Sequence, residues 1–331
     1  MSEQLQSDFD KILKTSKISK EEIQIKKDFL NKFIKNGFPS RKQEDWKFLD
    51  ISQIIKKNIS DLSFFNDFSQ SNEIDSSIFV DGLEHNKIIF INGRIEKIDF
   101  NYEDHNKIEI CDETKKDVSF NYENSLIDLN GAFTHKVFKI IIKKNYSLKR
   151  PLIIYHSTNN KIKSTNINLR LNFELGENSC LRLIDYFTNN TAKNFINIFY
   201  NFNLEKHSIL KNYKIDKLRN ANLKYSFNNI EQENNSISET FIFSAGSDYF
   251  KNEINCNLNG EYSSAFINGV FSLKENQQHE IRTTIKHLVE NTKSYQLIKS
   301  VLGKNSKSAY QGRIFVNSKA QKTDGYQLSK A

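Results

Sequence analysis

Residues 167–173, Ile-Asn-Leu-Arg-Leu-Asn-Phe, alternate strictly between apolar and polar side chains. Successive side chains of a β-strand point to opposite faces, so the four apolar residues share one face and the polar residues share the other. This alternation is typical of a strand that buries one of its faces. The segment therefore predicts a half-buried strand.

The same alternation recurs at 196–204, 254–258 and 281–287, with little helical periodicity between these runs. Parallel strands in an open sheet need helical crossovers, and antiparallel hairpins favour Asn-Gly or Asp-Gly turns. Both signals are scarce here. The turn signals that do occur are Asn130-Gly131, Asn259-Gly260 and Asp324-Gly325. A parallel β-helix, in which short strands stack coil upon coil around one core, accommodates this pattern.

The first forty residues differ because their apolar residues recur at helical intervals. Ile25, Phe29 and Phe33 are four residues apart, and 19–22, Ser-Lys-Glu-Glu, has the spacing of a capping box. Gly37 follows the last periodic residue, as expected where a helix ends. We therefore expect an N-terminal helical segment that covers one end of the β-helix.

These patterns predict a mainly β protein of three parts. Residues 1–60 form the helical segment, and 61–85, which begin with a stretch rich in Ser, Asn and Asp, form an irregular connection. Residues 86–331 form the β-helix core.

Composition favours a cytoplasmic globular protein. Of 331 residues, 37% are hydrophobic, which is enough to supply a core, and no apolar run approaches membrane-spanning length. The N-terminus lacks the basic start and apolar run of a secretory signal. The three cysteines, Cys111, Cys180 and Cys256, are widely spaced and odd in number, which favours a reducing compartment. The net charge of +8 is scattered without a dense basic block, so we expect neither nucleic-acid nor membrane binding.

Common catalytic motifs are incomplete in this sequence. Gly303-Lys304 lacks the upstream glycine of a phosphate-binding loop, and His279-Glu280 lacks the second histidine of a zinc protease. There is no Gly-x-Ser-x-Gly elbow and no Cys-x-x-Cys pair. We therefore expect no enzyme activity, and any iron–sulfur cluster would need ligands from elsewhere.

Two regions of the sequence resemble the SufB/SufD family of iron–sulfur cluster assembly scaffolds. Residues 39–48, Pro-Ser-Arg-Lys-Gln-Glu-Asp-Trp-Lys-Phe, are similar to its Arg-x-x-Glu-x-Trp-Lys-aromatic signature. Residues 287–296, 310–316 and 320–327 resemble its core block in order and spacing. Weaker landmarks lie at Val80, 90–94 and 129–133. The matching motif residues are Arg41, Glu44, Trp46, Lys47, His287, Gly312, Lys322, Thr323 and Gln327.

The resemblance implies a right-handed parallel β-helix flanked by helices, in which SufB pairs with SufD and each carries the ATPase SufC. The N-terminal motif is more like SufD than SufB, so a SufB-type paralogue is the alternative. The family role implied is that of a non-catalytic scaffold subunit that supports iron entry and cluster formation on SufB. The cluster would lie at the SufB–SufD interface, with no cofactor bound by this chain alone.

The sequence departs from the family pattern at its C-terminal end. The family continues past the Lys-Thr-Asp-x-x-Gln block into a Cys-x-His-Gly segment and a helical region, whereas this sequence ends at Ala331. The histidine of that segment is the family's candidate interface ligand, and SufC is expected to dock on those helices. We therefore expect a fragment with impaired SufC docking, the alternatives being a truncated gene product or a divergent member.

Two residues are candidates for handling metal or sulfur. His287 alternates inward with Ile285, and a neutral imidazole is a good iron ligand. Without a second ligand at suitable spacing, a hydrogen-bonded core histidine is the favoured interpretation. Cys256 alternates inward with Ile254, where a thiol usually fills space as a small apolar group.

The remaining motif residues have both a partner-binding and a structural interpretation. Residues 41–47 could form a partner-contact patch, although Trp46 could equally anchor this segment to the β-helix, which we favour. Lys322, Thr323 and Gln327 are expected to hydrogen-bond between coils.

Two functions of other classes are compatible with a β-helix. A polysaccharide lyase or hydrolase would need paired carboxylates or calcium ligands along a groove, and no compact acidic cluster is evident in the sequence. A purely structural module would fold normally and bind no partner.

Overall fold

The computed structural model describes residues 2–15, 18–59, 61–67, 71–112, 123–159, 161–188, 193–217 and 223–331. Parts of each predicted region lie outside these residues: 1, 16, 17 and 60 of the helical segment, 68–70 of the connection, and 113–122, 160, 189–192 and 218–222 of the core. Within the described residues the protein is mainly β, with four α-helices and a parallel solenoid.

The helices are α1 (Ser2–Thr15), α2 (Lys20–Asn36), α3 (Ile51–Asn58) and α4 (Ser125–Phe133). The predicted start and end of α2 are confirmed. The hydroxyl of Ser19 accepts a hydrogen bond from the Glu22 N–H at 3.2 Å. Gly37 has a φ of 67°, and its N–H donates to the Phe33 carbonyl at 2.7 Å. Glycine adopts this left-handed conformation without the steric cost that a Cβ would add.

Seventeen strands form two sheets in the described residues. The nine-stranded sheet contains β1 (Asn86–Ile91), β2 (Arg94–Asp99), β5 (Leu152–Ser157), β7 (Cys180–Phe187), β9 (Ile209–Asp216), β11 (Ile237–Ser244), β13 (Ser264–Leu273), β15 (Lys293–Leu302) and β17 (Asp324–Lys330). The eight-stranded sheet contains β3 (Ile108–Asp112), β4 (Val137–Ile142), β6 (Asn166–Leu175), β8 (Phe195–Leu204), β10 (Leu223–Gln232), β12 (Tyr249–Leu258), β14 (Gln278–His287) and β16 (Lys307–Val316).

From β4 onward, consecutive strands alternate between the two sheets, so each coil gives one strand to each sheet. Neighbouring strands within a sheet are parallel, except for the antiparallel pairs β1–β2 and β3–β4. The predicted parallel β-helix is therefore confirmed. The run 167–173 lies in β6, and its four apolar side chains belong to the core between the sheets. Its polar side chains are buried as well, so the strand is not half-buried as expected.

Stacked asparagines connect successive coils on the outer face of the eight-stranded sheet. Asn197 donates to the side chain of Asn168 at 3.1 Å, and Asn229 donates to Asn201 at 2.9 Å. The two pairs are 29 and 28 residues apart, which is the length of one coil. These side-chain bonds add to the backbone bonds that hold the coils in register.

The turns that start many of the strands share a motif that contains little glycine. A residue with positive φ precedes a Ser or Thr whose hydroxyl donates to the carbonyl three residues earlier. The pairs are His207-Ser208, Asn235-Ser236, Tyr262-Ser263, Asn291-Thr292, Asn305-Ser306 and Lys322-Thr323. Asparagine tolerates this conformation better than most residues, and the hydroxyl caps the turn.

One predicted turn is instead helical. Asn130-Gly131 lies inside α4, where a Cβ on Gly131 would come within 2.6 Å of the Phe29 ring of α2. Glycine is therefore needed for close packing between the two helices. The local Asn-Gly signal did not reveal this helix because burial against α2 outweighs turn propensity.

The helices cover the side of the solenoid, not its end as expected. They form a second apolar core with outward residues of β8 and β10, including Phe195, Phe199 and Tyr225. On the opposite sheet, the segment 71–80 packs on the outer faces of β1 and β5. Each sheet thus has part of its outer face covered by N-terminal residues.

The turn motif predicts that Tyr262 carries backbone strain. Its φ is 61°, and its side chain is 58% exposed, so little packing offsets the unfavourable conformation. We expect Tyr262→Gly to be more stable than Tyr262→Ala by about 1 kcal/mol, because only glycine relieves the clash with Cβ. Urea denaturation of both variants measures this difference, and equal stabilities would contradict the strained-turn interpretation.

Candidate functional site

The inward face of the solenoid carries charge at its centre. Strands β7 and β9 alternate as predicted for half-buried strands, but Asp185 and Lys214 occupy inward positions that are normally apolar. Asp185 and Lys214 are directly opposite each other in adjacent coils. A third inward polar residue, His156 of β5, is opposite Phe187, two residues along β7 from Asp185. Asp185 is 1% exposed and Lys214 is 4% exposed.

A single carboxylate organises this group. Asp185 Oδ1 lies 2.7 Å from His156 Nε2, and its Oδ2 accepts hydrogen bonds from the Tyr200 hydroxyl at 2.6 Å and Lys214 Nζ at 2.9 Å. The ammonium of Lys214 also lies 3.6 Å from the centre of the Tyr200 ring. Three partners from three other strands therefore converge on Asp185.

The pKa shifts favour an ionised pair, Asp185 and Lys214, next to two neutral side chains, His156 and Tyr200. Burial alone would raise the pKa of Asp185, but Lys214 and then His156 outweigh it and hold that pKa well below its usual range. Burial lowers the pKa of His156, and burial together with Asp185 raises the pKa of Tyr200 well above its usual value. His156 is therefore neutral near pH 7 and donates its Nε2–H to the carboxylate.

A second group of buried charged and polar side chains lies beside the one around Asp185. The ammonium of Lys224 is 3.2 Å from the centre of the Phe187 ring, and burial lowers its pKa to about 8 even though Asp216 acts in the opposite direction. Asp216 Oδ2 accepts a hydrogen bond from the Ser247 hydroxyl at 2.8 Å. Nδ1 of His279 lies 2.8 Å from the Ser244 hydroxyl.

We call His156, Asp185, Tyr200, Lys214, Asp216, Lys224 and His279 the interior charged cluster. Its two ammonium groups balance its two carboxylates. A cavity of about 20 Å³, lined by Phe90, Gly93, His156 and Thr158 among others, adjoins it and has room for one water. Nδ1 of His156 is buried without a hydrogen-bond partner among the described residues.

The cluster is not arranged as a metal centre. Over the described part of the chain, no three His, Cys, Asp or Glu side chains are grouped so that they could hold a metal ion. Strongly shifted pKa values in a buried group of titratable residues nevertheless mark a functional-site candidate. The sequence signal that could have found it is a charged residue on the apolar face of an alternating strand, as in Leu-Arg-Leu-Ile-Asp-Tyr-Phe at 181–187.

The N-terminal motif lies on the outer face of the eight-stranded sheet. Trp46 is 4% exposed, its ring lies 5.4 Å from that of Tyr225, and Lys251 Nζ lies 4.5 Å from its centre. Next to it, the carboxylate of Asp45 pairs with Arg282 at 2.6 Å. The other motif residues, Arg41, Glu44 and Lys47, have exposed side chains.

The two metal or sulfur candidates are both enclosed. Nδ1 of His287 lies 2.7 Å from the Thr292 hydroxyl and Nε2 lies 2.9 Å from that of Ser294, so both ring nitrogens have partners. Burial lowers the pKa of His287. Cys256 is fully buried, and burial raises the pKa of its thiol to about 12. Near pH 7 this thiol is protonated and a poor nucleophile.

The C-terminal motif residues lie in the last coils. Lys322 and Thr323 form one of the shared turns, and the Thr323 hydroxyl donates to the Ala320 carbonyl at 2.9 Å. That bond lies within a turn, whereas we expected bonds between coils. The side chains of Lys322 and Gln327 are exposed. Gly312 faces Gln327, and a Cβ on this glycine would come within 2.3 Å of Gln327 Oε1.

Comparison with known proteins gives two findings. Residues 155–331, just over half of the chain, match the family model described as "SUF system FeS cluster assembly, SufBD core domain". The chain is also 22% identical over 302 residues to the iron–sulfur cluster assembly protein SufD of Escherichia coli (strain K12). That alignment covers 89% of this chain and 70% of the Escherichia coli protein. Among the described helices, none has the length and apolar character needed to cross a bilayer.

Removing one member of the buried ion pair should be costly. We expect Lys214→Met to lower the free energy of unfolding by about 3 kcal/mol, because it leaves the Asp185 carboxylate without its cation. Lys211 lies on the same strand and pairs with Glu239 at 3.2 Å, but both side chains are largely exposed. Lys211→Met should cost less than about 1 kcal/mol. Urea denaturation measures both, and equal losses would contradict the interior placement of Lys214.

Lys224 should give the stability a specific pH dependence. An unfolded lysine has a pKa of about 10.4, so between about pH 8 and that value the unfolded chain binds more protons than the folded protein. The free energy of unfolding contributed by Lys224 therefore rises with pH in this window, and this gain is lost as the pH falls from about 10.4 to about 8.

Lys224→Met removes this titration, so its free energy of unfolding should rise less than that of the wild type between about pH 8 and about pH 10. Lys211→Met should keep the wild-type slope. Denaturation curves across this range provide the measurement, and parallel profiles for Lys224→Met and the wild type would contradict a buried ammonium.

Proposed function

The chain belongs to the SufBD core family of the SUF system, and we propose that it acts in the cytoplasm as a SufD-type scaffold subunit with no catalytic activity of its own. Family membership supports a role in iron–sulfur cluster assembly. The observation that carries the proposal is that the family match, 155–331, coincides with the stacked coils from β5 to β17. A regular solenoid offers long rigid surfaces suited to holding other proteins.

We propose SufB-like and SufC-like proteins as partners, with the iron–sulfur cluster as cargo assembled mainly on the SufB-like subunit. This chain would support iron entry and would bind no cofactor by itself. The enclosed positions of His287 and Cys256 favour ligands supplied from elsewhere in the complex. As units of this scaffold we retain 1–60, 61–85 and 86–331.

The last coils supply a surface for the SufB-like partner. Val301, Leu302, Phe315 and Val316 expose between 44% and 68% of their area. Exposed apolar side chains are typical of protein–protein interfaces, and these four lie in two pairs, at the ends of β15 and β16. The outer edges of β16 and β17 are also unpaired within the described residues, so they could add strands of a partner.

The N-terminal motif has a separate role in this proposal. We propose that Trp46 anchors the helical segment to the β-helix through its contacts with Tyr225 and Lys251. The exposed side chains of Arg41, Glu44 and Lys47 remain accessible to a partner.

Co-expression with the SufB and SufC proteins of the same source tests the proposal. We expect the chain to co-purify with the SufB protein and the pair to elute as one complex in size analysis. Phe315→Asp should weaken this complex at least tenfold, because it places a carboxylate in an apolar contact. Ile98→Asp is the matched control, since Ile98 has similar exposure, 46% against 49%, on distant β2.

Absence of a complex for the wild-type chain would contradict the scaffold proposal and favour a purely structural module. A complex equally weakened by both substitutions would place the interface elsewhere. Turnover of acidic polysaccharides by the purified chain would instead support the lyase alternative.

A further inference from the structure

The outer face of the nine-stranded sheet presents aromatic side chains over several coils. The register places Ile184, Tyr213 and Phe241 side by side, and Tyr295 stacks on Tyr326 at 5.1 Å between ring centres. Tyr213 and Phe241 are 40% and 37% exposed. We call the outward side chains of β9, β11, β13 and β15 the aromatic face. On the other sheet, the corresponding residues of β8 and β10 are buried under the helices.

The charge on this face is mostly positive. Its outward basic residues are Lys211, Lys293 and Lys299, and Arg182 lies at its border on β7. Glu239 is the one acidic residue at these outward positions, and it is already paired with Lys211 at 3.2 Å. An acidic ligand is therefore favoured, and a second copy of the same face is disfavoured because like charges would meet.

The protein itself covers the beginning of the same sheet face. The segment 71–80, Ser-Asn-Glu-Ile-Asp-Ser-Ser-Ile-Phe-Val, packs Ile74, Ile78, Phe79 and Val80 against outward residues of β1 and β5. We call 71–80 the strap. It is irregular apart from one short 3₁₀ turn.

Specific contacts hold the strap in place. The Val80 N–H donates to the Tyr155 hydroxyl at 3.1 Å, and Lys87 Nζ lies 5.1 Å from the centre of the Phe79 ring. The charged residues of the strap, Glu73 and Asp75, are both acidic. The strap thus shows that apolar anchors on an irregular backbone fit this sheet face. Both of its acidic side chains are exposed, and Asp75 accepts a hydrogen bond from the Ser77 N–H.

The covered and uncovered parts of the face are continuous. Tyr155 pairs in register with Tyr186 of β7, which in turn pairs with Ile215 of β9. Ile184 and Tyr186 are partly buried against the strap core, whereas Tyr213 in the next coil is exposed. The strap therefore covers the sheet only as far as β7. Beyond β7 the apolar and aromatic sheet face continues without this cover.

We propose that the aromatic face binds an acidic, extended segment of a partner protein that carries aromatic or large aliphatic anchors, as the strap does. The sheet supplies ring surfaces for the anchors, and its lysines supply the charge complementarity. Val301 of β15 belongs to this face, whereas Phe315 and Val316 lie on β16 of the other sheet. The peptide test changes Tyr213 and Phe241, so its outcome does not depend on whether Phe315 contacts a SufB-like protein.

A fluorescein-labelled peptide with the strap sequence 71–80 is the probe, titrated into the full chain by fluorescence anisotropy. We expect saturable binding that the double variant Tyr213→Ser, Phe241→Ser weakens at least tenfold. Replacing Glu73 and Asp75 of the peptide by lysine should weaken binding at least fivefold at low salt. Ile34→Ser is the matched control variant, because Ile34 is 43% exposed on α2.

The side chains changed in the double variant are exposed, and its thermal unfolding should remain within a few degrees of the wild type. No saturable binding up to about 1 mM peptide would overturn the proposal. Binding unaffected by the double variant would also overturn it, since the peptide would then occupy another site.

Two further outcomes would assign the face to a different ligand. Face-dependent binding to vesicles of phosphatidylserine and phosphatidylcholine, without peptide binding, would identify a lipid surface. Concentration-dependent dimerisation that the double variant abolishes would identify a second copy of the chain. Either result would overturn the peptide proposal.

Discussion

The parallel backbone pairing between successive coils is the constraint on which the rest of the structure depends. A coil cannot bury its apolar face alone, and each strand from β6 to β14 is paired on both sides. Because the side-chain period of a strand is two, this pairing decides for every residue whether it faces the interior or the surface. A charged residue at an inward position cannot move out without disrupting the register of its whole strand. Asp185 and Lys214 must therefore neutralise each other where they are.

The alternation in the sequence was sufficient to predict the β-helix, because 167–173 keeps polar residues outward and apolar residues inward. The interior charged cluster had one sequence signal, Asp185 on the apolar face of 181–187. An inward lysine such as Lys214, in contrast, looks like an ordinary exposed residue until strands β5 to β9 are aligned. The turns were missed for a different reason. Glycine is the usual turn signal, whereas this chain uses asparagine followed by a hydroxyl residue, as at Asn235-Ser236.

The candidate functional features fall into an interior group and two surfaces. A buried ion pair generally stabilises a protein less than an apolar core of the same volume, and the strongly shifted pKa values of the interior charged cluster are the physical reason to regard it as a functional-site candidate. Phe315 and Val316 of the last coils lie on the eight-stranded sheet, whereas the aromatic face lies on the nine-stranded sheet, so the two surfaces suit different partners. Cys256, with its raised pKa, is part of the packing and not of either surface.

Hydrogen–deuterium exchange measured by mass spectrometry tests the central claim, that paired coils enclose a dry, charged interior. The account predicts slow exchange for the amides of β6 to β14 in both sheets, including 209–216 around Lys214. It predicts faster exchange in the exposed turns between them. Rapid exchange throughout 209–216, with protection confined to the apolar strands, would show that water reaches Asp185 and Lys214 and would contradict the account.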